Sequence, residues 1–483
     1  MKLPKLVQNS AIYSIITILQ RGISFFLLPL YTAFLTPADY GVMNIVTTVT
    51  SLLSLFFLLG LTGAASRFYF QHKDDEQYIK ELWGTILTFV IINSIILGSI
   101  FMLFHKYLID PIVGNIPFYP YFILGIATTI VSPLYLFFQN YLQTKQQGIK
   151  YGINLLSNFL IQTGLIILFV AGFKMGVLGV LLAQLITAFL FFIYVLIAFV
   201  PKVKLGINRA ILKPAFKYSL PLVPHLLAGW STGLIDRLLI NGMKNESETG
   251  LYSVGNQFGS VTSSLTNAVN MAYSPWFMES YEAKRFNDIT KAGSAVILLY
   301  CSVAFLISLF CPEVLKIMVT EQFRSVWNII PLLSFACVLN GLYFLFVNTL
   351  FLQKTKYIFV ITLTSLLVNL GLNLLLIPKF SYVGSAIACF VAYLMKSFVA
   401  MILSRREVKE INFVPIRLYT IIFLFFSVTF LNFFTKDFNI LIAIILKLFV
   451  TGVLFFVFWL KYKYTILGFV NDIKNRKNNN KSI

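Results

Sequence analysis

Long apolar stretches separated by short polar breaks run along nearly the whole chain. A helix needs about 20 apolar residues to cross a bilayer. Fourteen stretches meet that length, roughly 10–35, 39–61, 79–104, 117–142, 149–172, 176–200, 215–242, 250–276, 290–312, 326–352, 357–378, 382–404, 415–434 and 439–461. Those at 117–142, 215–242 and 326–352 contain Pro or many polar groups and stand nearest the margin. The pattern predicts an all-α integral membrane protein of about 14 transmembrane helices. The first stretch, Ser10 to about Leu35, is too long for a cleaved signal peptide and leads straight into a second span.

Polar residues recur on one face of several spans. Span 1 carries Ser10, Ser14, Thr17, Arg21 and Ser24, with Tyr31 further along. Span 8 carries Ser253, Asn256, Ser260, Ser263, Asn267, Asn270 and Ser274. Steps of three and four keep such residues on one helix face. Span 2 has a shorter version (Asn44, Thr47, Ser51, Ser54), and span 11 has Thr362, Ser365, Asn369 and Asn373. Small polar residues also join membrane helices by hydrogen bonds and close packing, and that reading stands for any single Ser or Thr. A seven-position stripe with three asparagines points further. It predicts a hydrated central cavity lined by spans 1, 2, 7 and 8.

Charge sharpens the picture. The chain is 58% hydrophobic and 12% charged, with a mean hydropathy of +0.83 and a net charge of +20. With the N-terminus cytoplasmic, inside segments hold 27 Lys and Arg and outside loops hold 7. That asymmetry sets topology and removes nucleic acid as a partner. Four basic residues remain inside spans: Arg21, Arg237, Lys396 and Lys447. Asp236 is the acidic residue well inside a span, and no Glu is expected within one. A charge at mid-membrane costs about 2.5–3.5 kcal/mol on insertion scales. Four buried basic residues against one buried acidic residue predict an anionic cargo, and guanidinium suits phosphate through paired hydrogen bonds. Asp236 and Arg237 are helix neighbours, which do not face each other. Asp236 continues the face of His225, Gly229 and Thr232; Arg237 continues that of Trp230 and Gly233. Lysine can snorkel, so Lys396 and Lys447 are weaker candidates.

The two halves are related. ADYGVMNIVTTVTSLLS (38–54) resembles ETGLYSVGNQFGSVTSSL (248–265), with Gly41 matching Gly250 at an offset of 209. LQTK (142–145) parallels LQKT (352–355), and LGVLLA (178–183) parallels VGSAIA (383–388). Six spans per half make this a parallel repeat, two six-helix lobes around a central cavity, with two C-terminal helices outside it. The expected organisation is 1–205 for the first lobe, 206–410 for the second, 411–462 for spans 13 and 14, and 463–483 for a basic cytoplasmic tail.

LPLVPHLLAGWSTGLIDRLLI followed by TGLYSVGNQFGSV resembles spans 7 and 8 of bacterial polysaccharide repeat-unit flippases. These are the O-antigen and capsule exporters of the multidrug/oligosaccharidyl-lipid/polysaccharide superfamily. TPADYGVMNI, GAASRFYFQHKDDE and VGSAIA are similar too, so the resemblance covers nearly the whole chain. It implies a protein of the bacterial cytoplasmic membrane, both termini cytoplasmic, that moves undecaprenyl-diphosphate-linked oligosaccharide outward by alternating access. Arg21 and Arg237 are the implied contacts for diphosphate and acidic sugars. Asn256, Ser260, Asn267 and Asn270 of span 8, with Thr17 and Ser24 of span 1, are the implied cavity lining. Arg67, at the inner end of span 2, either receives the diphosphate at the inner mouth or serves as a topology charge. Asp236 is assigned an orienting role, and Lys396 is kept as a further cavity candidate.

Three alternatives stay open: a peptidoglycan-precursor flippase, a multidrug exporter of the same fold, and a membrane glycan polymerase. The exporter would want intramembrane carboxylates. The polymerase would want a long outer loop, and the outer loops at about 105–116 and 312–325 are short. No nucleotide-binding motif appears. No cofactor is implied, and coupling to an ion gradient stays open. Cys301, Cys311, Cys337 and Cys389 lie in apolar segments without a C-x-x-C pair, and the three histidines are scattered, so no metal site is expected. Expected partners are the anionic lipid-linked oligosaccharide, membrane lipid, and the polymerase and glycosyltransferases of the same pathway, around a monomer.

Overall fold

The computed structural model describes residue 25 and residues 27–352, 356–408, 411, 415–435, 438–454 and 456. Among the described residues the chain is helical and contains no strand. The first span is described from Leu28–Phe34 (α1). Then follow α2 (Pro37–Leu58), α3 (Leu61–Gln71), α4 (Glu76–Leu103), α5 (Ile123–Thr144), α6 (Gly148–Ile166) and α7 (Gly176–Ala198). The second half has α8 (Arg209–Ser219), α9 (Val223–Met243), α10 (Glu246–Glu282), α11 (Phe286–Met318), α12 (Ile330–Phe351) and α13 (Lys356–Glu407). Last come α14 (Pro415–Val428), α15 (Leu431–Thr435) and the apolar α16 (Ile440–Leu454). The predicted tail at 463–483 lies outside the described residues.

Nine helices among the described residues are long and apolar enough to cross a membrane. The three marginal stretches are all helical: Phe118–Thr144, Val223–Met243 and Ile330–Phe351. The charge-bearing α9 and the stripe-bearing α10 span 21 and 37 residues, yet are not among those nine. Apolar side chains such as Leu103, Ile197, Ile317 and Phe449 point outward, as lipid contact requires.

Local chemistry explains where helices start and break. α2 opens with a capping box. Thr36 Oγ1 accepts from the Asp39 amide (3.2 Å), and Asp39 Oδ2 accepts from the Thr36 amide (3.0 Å). Between α2 and α3 the chain turns through Leu59 and Gly60, both at positive φ. α13 breaks at Ser381, whose φ of 52° interrupts the helix near the predicted boundary of spans 11 and 12. α11 runs through Pro312, which has no N–H to offer the Ser308 carbonyl. Asn432 Nδ2 takes that carbonyl instead (2.8 Å), with Cys311 Sγ also donating to it (3.1 Å). The helix therefore continues to Met318 rather than ending near residue 312 as predicted.

Two compact units emerge. One holds the described residues up to Ser253 together with Asn373–Tyr382; the other holds Val254–Leu372 and the described residues from Val383 on. The first has a core around Trp83, whose ring meets Phe137 and Tyr141 edge-on at 5.0 and 5.1 Å.

Candidate functional site

α9 carries the two charges that open the chemical question. It is held against α2 by Trp230, whose Nε1 donates to Ser51 Oγ (2.9 Å). Asp236 is buried, 3% exposed. Its Oδ2 accepts from the Tyr252 hydroxyl of α10 (2.7 Å), and its Oδ1 accepts from Asn373 Nδ2 of α13 (2.8 Å). Arg237, one residue on, sits within electrostatic reach of Tyr40 of α2, Tyr252 and Asp236. Its Nε is buried and has no hydrogen-bond partner. The two neighbours therefore have different hydrogen-bond surroundings. The carboxylate ties three helices, and the guanidinium keeps donor capacity in hand. All these groups lie in the first compact unit.

Close to them, α2 and α10 cross. A Cβ on Gly41 would overlap the Glu246 carbonyl, and a Cβ on Gly250 would overlap the Pro37 carbonyl. The contact is reciprocal, and it obeys the repeat: Pro37 and Glu246 differ by the same 209 residues as Gly41 and Gly250. The caps follow suit. Asn245 stands 209 residues after Thr36, and its Oδ1 accepts from the Glu248 amide (2.9 Å). Two positive helix ends meet here, and Asp39, Glu246 and Glu248 offset them in the first turns. Ser381 donates to the Glu248 carboxylate, and Lys244 Nζ donates to the Pro378 carbonyl (2.9 Å), fastening the same end.

The other predicted residues are distributed as follows. Thr17, Arg21 and Ser24 lie outside the described residues. Asn256 is half-buried. Ser260 donates to the Gln257 carbonyl of its own helix (2.6 Å). Asn267 is exposed, with Nδ2 at 3.4 Å from Ser263 Oγ. Asn270 Oδ1 accepts from Asn348 Nδ2 (3.2 Å), and Ser274 donates to Asn348 Oδ1 (2.9 Å), so this end of the stripe joins α10 to α12. Arg67 is exposed, its guanidinium stacked over the Tyr218 ring at 4.6 Å. Lys396 donates to Asn340 Oδ1 (2.9 Å) and lies over Tyr343 at 4.2 Å.

One expectation is corrected. The sequence pattern places Glu313 in an outer loop and no Glu inside a span. Glu313 instead lies inside α11, only 5% exposed, and accepts from Lys447 Nζ through both oxygens (2.7 and 2.9 Å). Lys447 is itself 0% exposed, so it is a structural partner of Glu313 rather than a snorkelling lysine. The sequence holds a usable signal: a lysine in the middle of an apolar stretch needs an acidic mate. Tyr252 and Asn373 are partners of Asp236 that sequence reasoning missed, although Asn373 belongs to the span 11 stripe. Among the described residues no cluster of His, Cys, Asp and Glu could hold a metal ion, and the four cysteines form no disulfide.

This arrangement of helices is shared with solved transporters. The chain matches "Lipid II flippase MurJ, inward closed conformation" with a TM-score of 0.71 at 13% identity, over 93% of this chain and 99% of that one. It matches the Vibrio cholerae MATE transporter VcmN in the bent form with a TM-score of 0.55 at 15% identity, over 84% of this chain and 97% of that one. The class is thus a polytopic membrane protein with the flippase and multidrug-exporter fold. A family model described as "Polysaccharide biosynthesis protein" matches residues 6–281, and the chain belongs to that family. "Lsg locus putative protein 1" of Haemophilus influenzae is 25% identical over 411 residues, 82% of this chain and 99% of that protein.

Proposed function

We propose that the protein is a flippase that moves undecaprenyl-diphosphate-linked oligosaccharide repeat units from the inner to the outer leaflet of the bacterial cytoplasmic membrane. The observation that carries this reading is Arg237, an intramembrane guanidinium whose Nε is buried and unpartnered. A buried donor without an acceptor is costly, and an intramembrane cation calls for an anion. A diphosphate supplies several charged acceptors in the geometry that guanidinium prefers. Arg21 is assigned the same role. Asn256, Ser260 and Asn267 offer polar groups to the sugar hydroxyls.

The loop charges, 27 inside and 7 outside, orient both termini toward the cytoplasm. In that orientation α2 and α10 begin at the outer face. Their glycine crossing lies at that face, and alternating access would require it to loosen. A cation exporter is disfavoured because the buried carboxylates among the described residues are Asp236 and Glu313, and each already has its donors. The likeness to a lipid II flippase favours a peptidoglycan precursor as the second reading, since that cargo shares the lipid diphosphate. Glycosyltransferases would supply the cargo and a polymerase would consume it. The O-antigen or capsular nature of the glycan is part of the proposal.

The test is made in the native bacterium. Arg237→Ala and Arg21→Ala are expected to leave the protein in the membrane and abolish surface polysaccharide while cell-wall synthesis continues. Normal surface polysaccharide at matched protein level would overturn the reading. Loss of cell-wall precursor export instead would favour the second.

A further inference from the structure

A second polar feature lies away from Arg237 and shares no residue with its cluster. At the ends of α5 and α7 and the start of α6 is a cavity of about 470 Å³, within the range of about 300–1,000 Å³ typical of small-ligand sites. Lys150 and Lys202 line it, and no acidic residue does. Neither lysine forms an ion pair among the described residues, whereas nearby Lys204 is neutralised by Glu81 at 2.6 Å. Tyr141 and Tyr194 supply aromatic wall.

Two independent features inside the cavity point to an anion. Asn154 is 9% exposed and lines the cavity. Its backbone carbonyl accepts from the Tyr135 hydroxyl (3.2 Å), while its carboxamide has no hydrogen-bond partner among the described residues. A carboxamide that lines a cavity without a protein partner is open to a ligand or water. The second feature is the start of α6, a 19-residue helix whose cap residue Gln147 makes no side-chain hydrogen bond to the first turn. Its first-turn amides therefore lack a side-chain acceptor, and an uncapped helix start favours negative charge. Gln147 and Lys150, at that start, both line the cavity.

The surroundings choose between a soluble and a lipid-borne anion. Ile149 and Ile153 of α6 are each 60% exposed, and Ile193, Tyr194 and Ile197 of α7 are exposed as well. The cavity thus opens on apolar helix surface of the kind that faces hydrocarbon chains, with the lysines at the helix ends where headgroups lie. We propose that this cavity binds the phosphate group of an anionic lipid, between Lys150 and Lys202 at the start of α6, with the Asn154 carboxamide hydrogen-bonded to the headgroup and the lipid chains along α6 and α7. On the proposed orientation this is an inner-leaflet site.

The test uses the purified full-length protein and native mass spectrometry with phosphatidylglycerol as the probe. Lys150→Gln/Lys202→Gln is expected to weaken the tightest phosphatidylglycerol binding at least ten-fold, and Asn154→Leu to weaken it several-fold. Lys106→Gln/Lys316→Gln removes the same charge elsewhere and is expected to leave binding unchanged. Unfolding temperatures, read alongside, verify that all variants are folded. Equal binding by wild type and Lys150→Gln/Lys202→Gln would overturn the site, as would an equal loss in the Lys106/Lys316 control. Displacement of the lipid by millimolar inorganic phosphate would overturn the lipid assignment. None of these readouts depends on transport, so they succeed or fail separately from the flippase reading.

Discussion

A charge in the hydrocarbon layer costs about 2.5–3.5 kcal/mol even on insertion scales, so each one in this chain needs a partner or a purpose. Asp236 has Tyr252 and Asn373, Lys447 has Glu313, and Lys396 has Asn340 and the Tyr343 ring. Arg237 retains a buried Nε with nothing to donate to. Asp236→Ala would strand two donors and is expected to cost about 1–3 kcal/mol each. Asp236→Asn, which keeps an acceptor oxygen, is expected to cost less; thermal unfolding in detergent ranks the two. Lys447→Met alone would leave Glu313 charged and unpaired in the core, at a cost of about 3–5 kcal/mol. The double variant Glu313→Leu/Lys447→Met removes both charges and is expected to recover most of that loss. No recovery in unfolding temperature would mean the pair is not the origin of the loss. Helix geometry alone is enough to separate Asp236 from Arg237. It is not enough to find Glu313, because a proline normally ends a helix. Here Asn432, distant in sequence, satisfies the carbonyl that Pro312 abandons.

Among elements, the α2–α10 crossing bears the clearest mark of the internal repeat. Gly41 and Gly250 match by sequence as equivalents, but a repeat cannot say that equivalent residues touch. They touch because each glycine lies against the first carbonyl of the other helix, an approach that only a residue without Cβ permits. Gly41→Val or Gly250→Val is expected to separate the helix starts. The readout is transport, expected to fall at least ten-fold, with unfolding temperature falling in parallel. Unchanged transport in both variants would remove this crossing from the mechanism. The α10 stripe is visible in sequence, but its division of labour is not. Asn270 and Ser274 are engaged with Asn348 of α12, while Asn267, of the same residue type and spacing, has only Ser263 of its own helix among the described residues. Polar residues that join helices and those that line a water-filled space look alike until the facing helix is known.

At the scale of the whole molecule, the membrane makes the fold readable. Lipid allows only helices or closed barrels to span it, so counting apolar stretches locates helices even at the marginal stretches 117–142, 215–242 and 326–352. Cargo is less readable, because diphosphate, sugar and lipid are each recognised by a few residues scattered over distant helices. The central claim is that Arg237 meets the anionic part of a lipid-linked oligosaccharide during transport. The most direct measurement is the flipping rate of a labelled undecaprenyl-diphosphate oligosaccharide in proteoliposomes, for wild type, Arg237→Lys and Arg237→Ala at matched protein density. A direct Arg237–anion contact predicts flipping by wild type, a reduced rate with lysine, which keeps the charge but loses the paired hydrogen bonds, and at least a ten-fold loss with alanine. An alanine variant that flips the substrate at the wild-type rate would contradict it.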